Sequence, residues 1–144
     1  MTQKTTILIV DDEVRSLESL ERILEDDFNI LTAENTIEAE KILQTEWVQI
    51  ILCDQRLPGL TGVEFLKLVR HKWPNIVRMI ISGYTDSQDI ISALNDAGIY
   101  QYITKPWQPE SLIHLLKNAA QLFDLQRLNE SLSIELKMAP DAFK

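Results

Sequence analysis

Apolar and polar positions follow two rhythms along this chain. Short, nearly unbroken apolar runs rich in β-branched residues recur at 6–10, 28–33, 48–53, 77–81 and 99–103. Runs of this length bounded by turn residues predict strands, and the third, ending at Asp54, suits one buried on both faces. Between them, apolar residues return every three or four positions. Val14, Leu17, Leu20, Ile23 and Leu24 form one such set; Ala39, Ile42 and Leu43, behind Thr36 as the candidate cap, form a second. Val63, Leu66 and Val69 follow Gly62, and Ile90, Ile91 and Leu94 lie within 86–97. That spacing predicts amphipathic helices facing a core. Pro74 ends the third helix, Gly98 suits the C-cap of the fourth, and Pro109 suits the first turn of a fifth. Five strands alternating with five helices imply one parallel sheet with right-handed crossovers and helices on both faces.

The polar residues that stop the apolar runs carry the candidate chemistry. The first strand runs into Asp11-Asp12-Glu13, the third into Asp54, the fourth into Ser82-Gly83 and the fifth into Thr104-Lys105-Pro106. Parallel sheets of this class bind ligands at the carboxyl ends of their strands. A lone acid after a strand is usually a turn former or a helix cap. Here three acids, a hydroxyl and a lysine converge if the strands lie side by side. Three carboxylates repel one another unless a cation sits among them, and a set of oxygen donors favours Mg2+. A metal, a fixed positive charge, a hydroxyl and a carboxylate nucleophile are the parts used in phosphoryl transfer.

Composition narrows the classes. The 144 residues suit one domain, and 45% hydrophobic content supplies a core. A net charge of −8 argues against direct nucleic-acid contact by this segment, which calls for a basic face. No apolar run reaches the length of a membrane span, and the first strand starts too early to leave room for a signal peptide, so a cytoplasmic protein is expected. The single cysteine, Cys53, reads as a small core residue; His71 and His114 read as surface residues.

The motifs Val10-Asp11-Asp12-Glu13, Cys53-Asp54 through Pro58-Gly59, Ile81-Ser82-Gly83 and Thr104-Lys105-Pro106 together resemble those of the receiver domain of two-component response regulators. The resemblance covers residues 4 to about 123, and it implies a flavodoxin-like sheet with strand order 2-1-3-4-5. By resemblance, Asp54 is the phospho-acceptor, served by a sensor histidine kinase. Asp12, Asp54 and the backbone carbonyl of Arg56 would hold Mg2+, with Asp11 acting through metal-bound water. Ser82 and Lys105 would contact the phosphoryl group, Ser82 and Tyr102 would form the switch, and the Lys105–Pro106 peptide would be cis. Such a domain catalyses only its own phosphorylation and dephosphorylation. Arg56 and Tyr84, each two residues beyond an element of the site, are bulky enough to shield the acyl phosphate from water, so slow self-dephosphorylation is expected. Asp54 through Gly59, Ser82 through Asp86 and Lys105-Pro106-Trp107 further resemble receivers attached to HD-GYP phosphodiesterases or hydrogenase-type transcription activators. Trp107 has two readings, a cover for the fifth-strand loop and an interface residue. A haloacid-dehalogenase-like phosphatase, the enzyme rival, places its nucleophile and second acid two apart after the first strand; here the acids are adjacent there. A phosphorylation-independent docking domain is the rival among interaction modules.

The last helical pattern outruns the domain. Leu112, Ile113, Leu116, Ala120 and Phe123 suffice to cover the sheet, yet apolar periodicity continues to about Met138 before Ala139-Pro140. Leu115, Leu122, Asn129 and Leu136 recur every seven residues, interleaved with Asn118, Leu125 and Leu132. That is a heptad seam with polar positions, as in a dimeric coiled coil. An amphipathic helix lying on its own domain is the plainer alternative. The expected division is a receiver at 1–123 and a helical extension at 124–144 that pairs in a homodimer and leads toward an output domain.

Overall fold

The computed structural model describes residues 4–83 and 95–138. Five strands, β1 (Thr6–Val10), β2 (Asn29–Ala33), β3 (Ile50–Asp54), β4 (Val77–Ser82) and β5 (Ile99–Thr104), form one sheet of order β2-β1-β3-β4-β5. All four pairings are parallel. The helices described in full are α1 (Val14–Leu24), α2 (Thr36–Thr45), α3 (Gly62–Lys72) and the long α4 (Pro109–Met138). Most of the helix expected at 86–97, with Ile90, Ile91 and Leu94, lies outside the described residues. Its last turn does appear, and Gly98 closes it at φ +62°, a left-handed conformation that favours glycine.

Alternate residues of each central strand feed two cores. Ile7, Ile9, Ile50, Leu52, Met79 and Ile81 pack beneath α1 and α4, while Leu8, Val10, Ile51, Cys53 and Ile80 pack beneath α2 and α3. The sheet is thus covered on both faces, which explains why β1, β3 and β4 read as continuous apolar runs rather than alternations. The chain steps outward from β1 to β2, then returns past β1 to β3. The reversal puts a crevice between the carboxyl ends of β1 and β3, where Asp11, Asp12 and Asp54 stand.

Several local expectations change. The cap of α2 is Asn35, whose side chain accepts from Glu38 N at 2.8 Å; Thr36 is the first helical residue. Helix α3 begins at Gly62 behind Thr61, which forms a capping box with Glu64. Strand β3 starts at Ile50 and ends on Asp54 itself, so the acid is held in the sheet rather than in the loop. Val14, expected on the inner face of α1, is 49% exposed because it occupies the first helical position, clear of the sheet. The pairing of β4 with β5 slips between Arg78 and Met79, leaving Tyr100 unpaired as a bulge. His71 and His114 are exposed, Cys53 is fully buried, and the Lys105–Pro106 peptide is cis.

Candidate functional site

Each strand end is tied to its neighbour one residue past the regular pairing. Asp11 N donates to Ala33 O (3.1 Å), Gln55 N to Ile81 O (3.0 Å) and Lys105 N to Ser82 O (2.8 Å). These bonds hold the residues that stop the apolar runs at one edge of the sheet. Asp11 and Asp54 are buried and Asp12 is exposed, with carboxylate oxygens of the three within 4.8 Å of one another. Lys105 Nζ reaches over from β5 and lies 3.3 Å from Asp54 Oδ2. Ser82 is fully buried at the end of β4, where its Oγ donates to Gly83 O at 3.2 Å. Tyr102, three residues before the lysine, is half-buried against the α2–α3 core. Its hydroxyl is buried without a hydrogen-bond partner among the described residues. Arg56 is exposed in the loop after β3, and Tyr84 lies outside the described residues.

The donor set suits a hard divalent cation. All three acids offer oxygen, no thiolate or imidazole joins them among the described residues, and one acid faces solvent where water can complete an octahedron. The same crowding shows in Asp11. Burial lifts its carboxyl from 3.8 to about 6, the N–H of Glu13 (2.9 Å) partly opposes the shift, and the charge of Asp54 adds to it.

That shift has a consequence for stability. Below pH 3.8 the acid is protonated in folded and unfolded chains alike and costs nothing. The unfolded chain ionises first, so a penalty builds as pH rises and is complete above about 6. Asp11→Asn retains an acceptor for Glu13 N–H and removes the charge. Without divalent cation, its melting temperature at pH 7.5 should exceed that of wild type, by the equivalent of roughly 1–3 kcal/mol. The gap should close at pH 4; thermal melts at the two pH values check this.

Beside the acids opens a cavity of about 460 Å³, bounded by Asp11 and Lys105 and walled by Leu20, Ile81 and Trp107. Trp107 is half-buried and packs against the α1–α4 core, as the covering role requires. Two of the contacts that escaped the sequence bear on the site and on α4. One is Gln55, bonded to both β4 and α3. The other joins Trp47, in the loop before β3, to Phe123 and Arg127 on α4.

Comparison with known proteins agrees with this geometry. Residues 7–117 match the model of the response regulator receiver domain. The chain is 56% identical over 137 residues to the hydrogenase transcriptional regulatory protein HoxA of Bradyrhizobium diazoefficiens, and 53% identical over 135 residues to that of Cupriavidus necator. These alignments cover 95% and 94% of this chain and 28% of each regulator. The receiver domain of an HD domain-containing protein from Pseudomonas fluorescens Pf-5 superposes with a TM-score of 0.82 at 26% identity, covering 88% of this chain and 94% of that one. The two resemblances read from the motifs, to hydrogenase-type activators and to receivers of HD-domain proteins, both have counterparts here. Receivers work with histidine kinases and attached output domains and are typically not enzymes in their own right. The chain belongs to the response regulator receiver domain family, the phospho-accepting modules of two-component signalling.

Proposed function

We propose that Asp54 accepts a phosphoryl group from the phosphohistidine of a partner kinase, and that Asp11, Asp12, Asp54 and the backbone carbonyl of Arg56 hold the Mg2+ the transfer needs. The observation that carries this is the Lys105–Asp54 pair, 3.3 Å apart within the three-acid cluster. A carboxylate oxygen of Asp54 attacks phosphorus, the bond to the donor nitrogen breaks, and the electron pair leaves with the imidazole. Bound Mg2+ would offset the charge of the acids and of the incoming phosphoryl oxygens. Lys105 gives a second, fixed positive charge, already beside the acceptor carboxylate. The buried Ser82 hydroxyl, at the adjoining strand end, becomes a donor to the phosphoryl group, and Tyr102 moves with it as the second switch residue. Acetyl phosphate serves as a kinase-free donor: with Mg2+ the intact mass should rise by one phosphoryl group, and with EDTA it should not. The setting proposed is the cytoplasm; among the described residues no helix is long and apolar enough to cross a membrane.

We further propose that residues 1–123 are the switching unit and that 124–144 carry its state toward an output domain through a homodimeric helix. Leu115 and Leu122 of the heptad seam pack against the receiver's own core, so the surface left for a partner starts at Leu125, which is 58% exposed. Arg127 lies 5.5 Å from the Trp47 ring centre and 6.0 Å from that of Phe123, and the two rings meet edge to face at 6.1 Å. Phe123 and Arg127 thereby hold one side of α4 against the body. At roughly 100° per residue, Leu125 and Asn129 fall on the side turned away from it, and the heptad of the sequence continues through Leu132 and Leu136. Leu128, 55% exposed, widens that stripe. Exposed contiguous apolar surface marks a partner, and Asn129 within it favours a parallel pair. Light scattering at tens of micromolar should find the full chain dimeric and a chain ending at Phe123 monomeric. Two monomers, phosphorylated or not, would remove the coiled-coil role.

A further inference from the structure

The first N–H groups of α3 lack partners within the helix, as at any helix start. One residue supplies two of the three partners. Gly62 N donates to Gln55 O (2.9 Å) and Val63 N to Gln55 Oε1 (3.0 Å), while Glu64 N donates to Thr61 Oγ1 (3.1 Å). With Gln55 N bonded to Ile81 O, this residue is anchored through its main-chain N–H, its carbonyl and its side chain, to β4 on one side and α3 on the other. It also stands between Asp54 and Arg56, the proposed acceptor and the proposed carbonyl ligand.

We propose that Gln55 is a positioning residue of the phosphorylation site: its side-chain carbonyl locks the 54–56 turn onto the start of α3 and thereby sets the affinity for Mg2+. This rests on the assignment of the metal and acceptor roles above. The main-chain bonds are open to any residue at position 55, but the side-chain bond requires an acceptor long enough to reach Val63 N. Without one, the N–H of Val63, a residue only 3% exposed, loses its partner. The turn then keeps its ligand atoms and loses the bond that orders them. Groups that orient ligands without touching the metal are worth about 10- to 100-fold in metal affinity.

The test is calorimetric titration of Mg2+ into the full chain and three variants. Gln55→Leu should bind roughly tenfold more weakly than wild type. Gln55→Glu keeps an acceptor of the same reach and should bind at least as tightly as wild type. Thr61→Val removes the neighbouring cap from the same helix, so it controls for helix stability. It should lower the melting temperature about as much as Gln55→Leu while leaving Mg2+ affinity within about twofold. Gln55→Ala carries the same expectation as leucine should the larger side chain prevent folding. Equal Mg2+ affinity in Gln55→Leu and wild type overturns the proposal, and so does an equal loss in Thr61→Val. If wild type binds Mg2+ and is phosphorylated at Asp54 while Gln55→Leu matches it, only the role of Gln55 falls. If wild type itself binds no Mg2+, the assignment of the site falls as well.

Discussion

Asp54→Asn should take up no phosphoryl group from acetyl phosphate and Mg2+ under conditions that label wild type once per chain. The substitution is close to isosteric, so the end of β3 keeps its shape and its pairing with β4. What is lost is chemical. The amide has no anionic oxygen to attack phosphorus, and it withdraws one negative oxygen from the cluster that also contains Asp11 and Asp12. Lys105 loses a charged partner at 3.3 Å. Stability should change little, because removing the Lys105 ion pair is offset by relief of the repulsion that Asp54 exerts on Asp11. An unlabelled but normally melting Asp54→Asn therefore reports loss of the acceptor rather than loss of the fold. Intact-protein mass spectrometry of both chains gives the answer directly; equal mass gain in the two would move the acceptor elsewhere.

β1, β3 and β4 were legible because burial on both faces leaves a simple mark, and the edge strands β2 and β5, though only partly buried, kept enough apolar residues to be counted with them. Five apolar runs of five or six residues can be counted without knowing what they touch, and the polar residues that end them must come together once the strands are parallel. The meeting of Asp11, Asp12, Asp54 and Lys105 needs one thing more, that β1, β3, β4 and β5 lie side by side, which is the order the family resemblance implies and the sheet has. Which residue caps a helix follows less readily. Asn35 and Thr36 are adjacent and both are good caps; the choice depends on where the chain leaves β2, and the structure gives the bond to Asn35.

Arg78 was illegible for a different reason. It interrupts the apolar run of β4 and is only 9% exposed, so a run-based reading counts it as a blemish. Its guanidinium instead donates to three main-chain carbonyls, Ala97 (2.9 Å), Ile76 (2.9 Å) and Pro74 (3.2 Å). Burial, and then the nearby Arg70, pull its pKa below the usual arginine value. Carbonyls leave no trace in side-chain chemistry, and Ala97 lies on the far side of the segment between β4 and β5. The same holds for Trp47 against Arg127 and for Gln55 against Val63. In each case one partner is an ordinary loop residue until the fold brings the other beside it.

Gly62→Ala should destabilise the domain, although elementary helix propensity predicts the reverse. Alanine is favoured over glycine in a helix by about 1 kcal/mol, partly through the lower entropy of the unfolded chain. At the first position of α3 that gain is outweighed by a collision. A Cβ on Gly62 would lie 3.0 Å from the carbonyl carbon of Asp54 and from Gln55 Cα, and closer still to the Asp54 carbonyl oxygen. All of these are backbone atoms, so no side chain can swing aside. Relief requires α3 to lift from the end of β3, which stretches the bond from Gly62 N to Gln55 O and, next to it, the bond from Val63 N to the Gln55 side chain. Overpacking of this kind costs about 1–3 kcal/mol and sometimes more, so after the helix gain the net loss should be on the order of 1 kcal/mol. The strain falls on the residue that carries the acceptor carboxylate, so phosphoryl uptake should slow by roughly tenfold or more, as for other small misplacements of a reacting group. Urea unfolding gives the first number and the time course of labelling from acetyl phosphate the second. A variant more stable than wild type would mean that the loop after β3 yields freely, and the close packing of α3 on Asp54 would then have no part in holding the site.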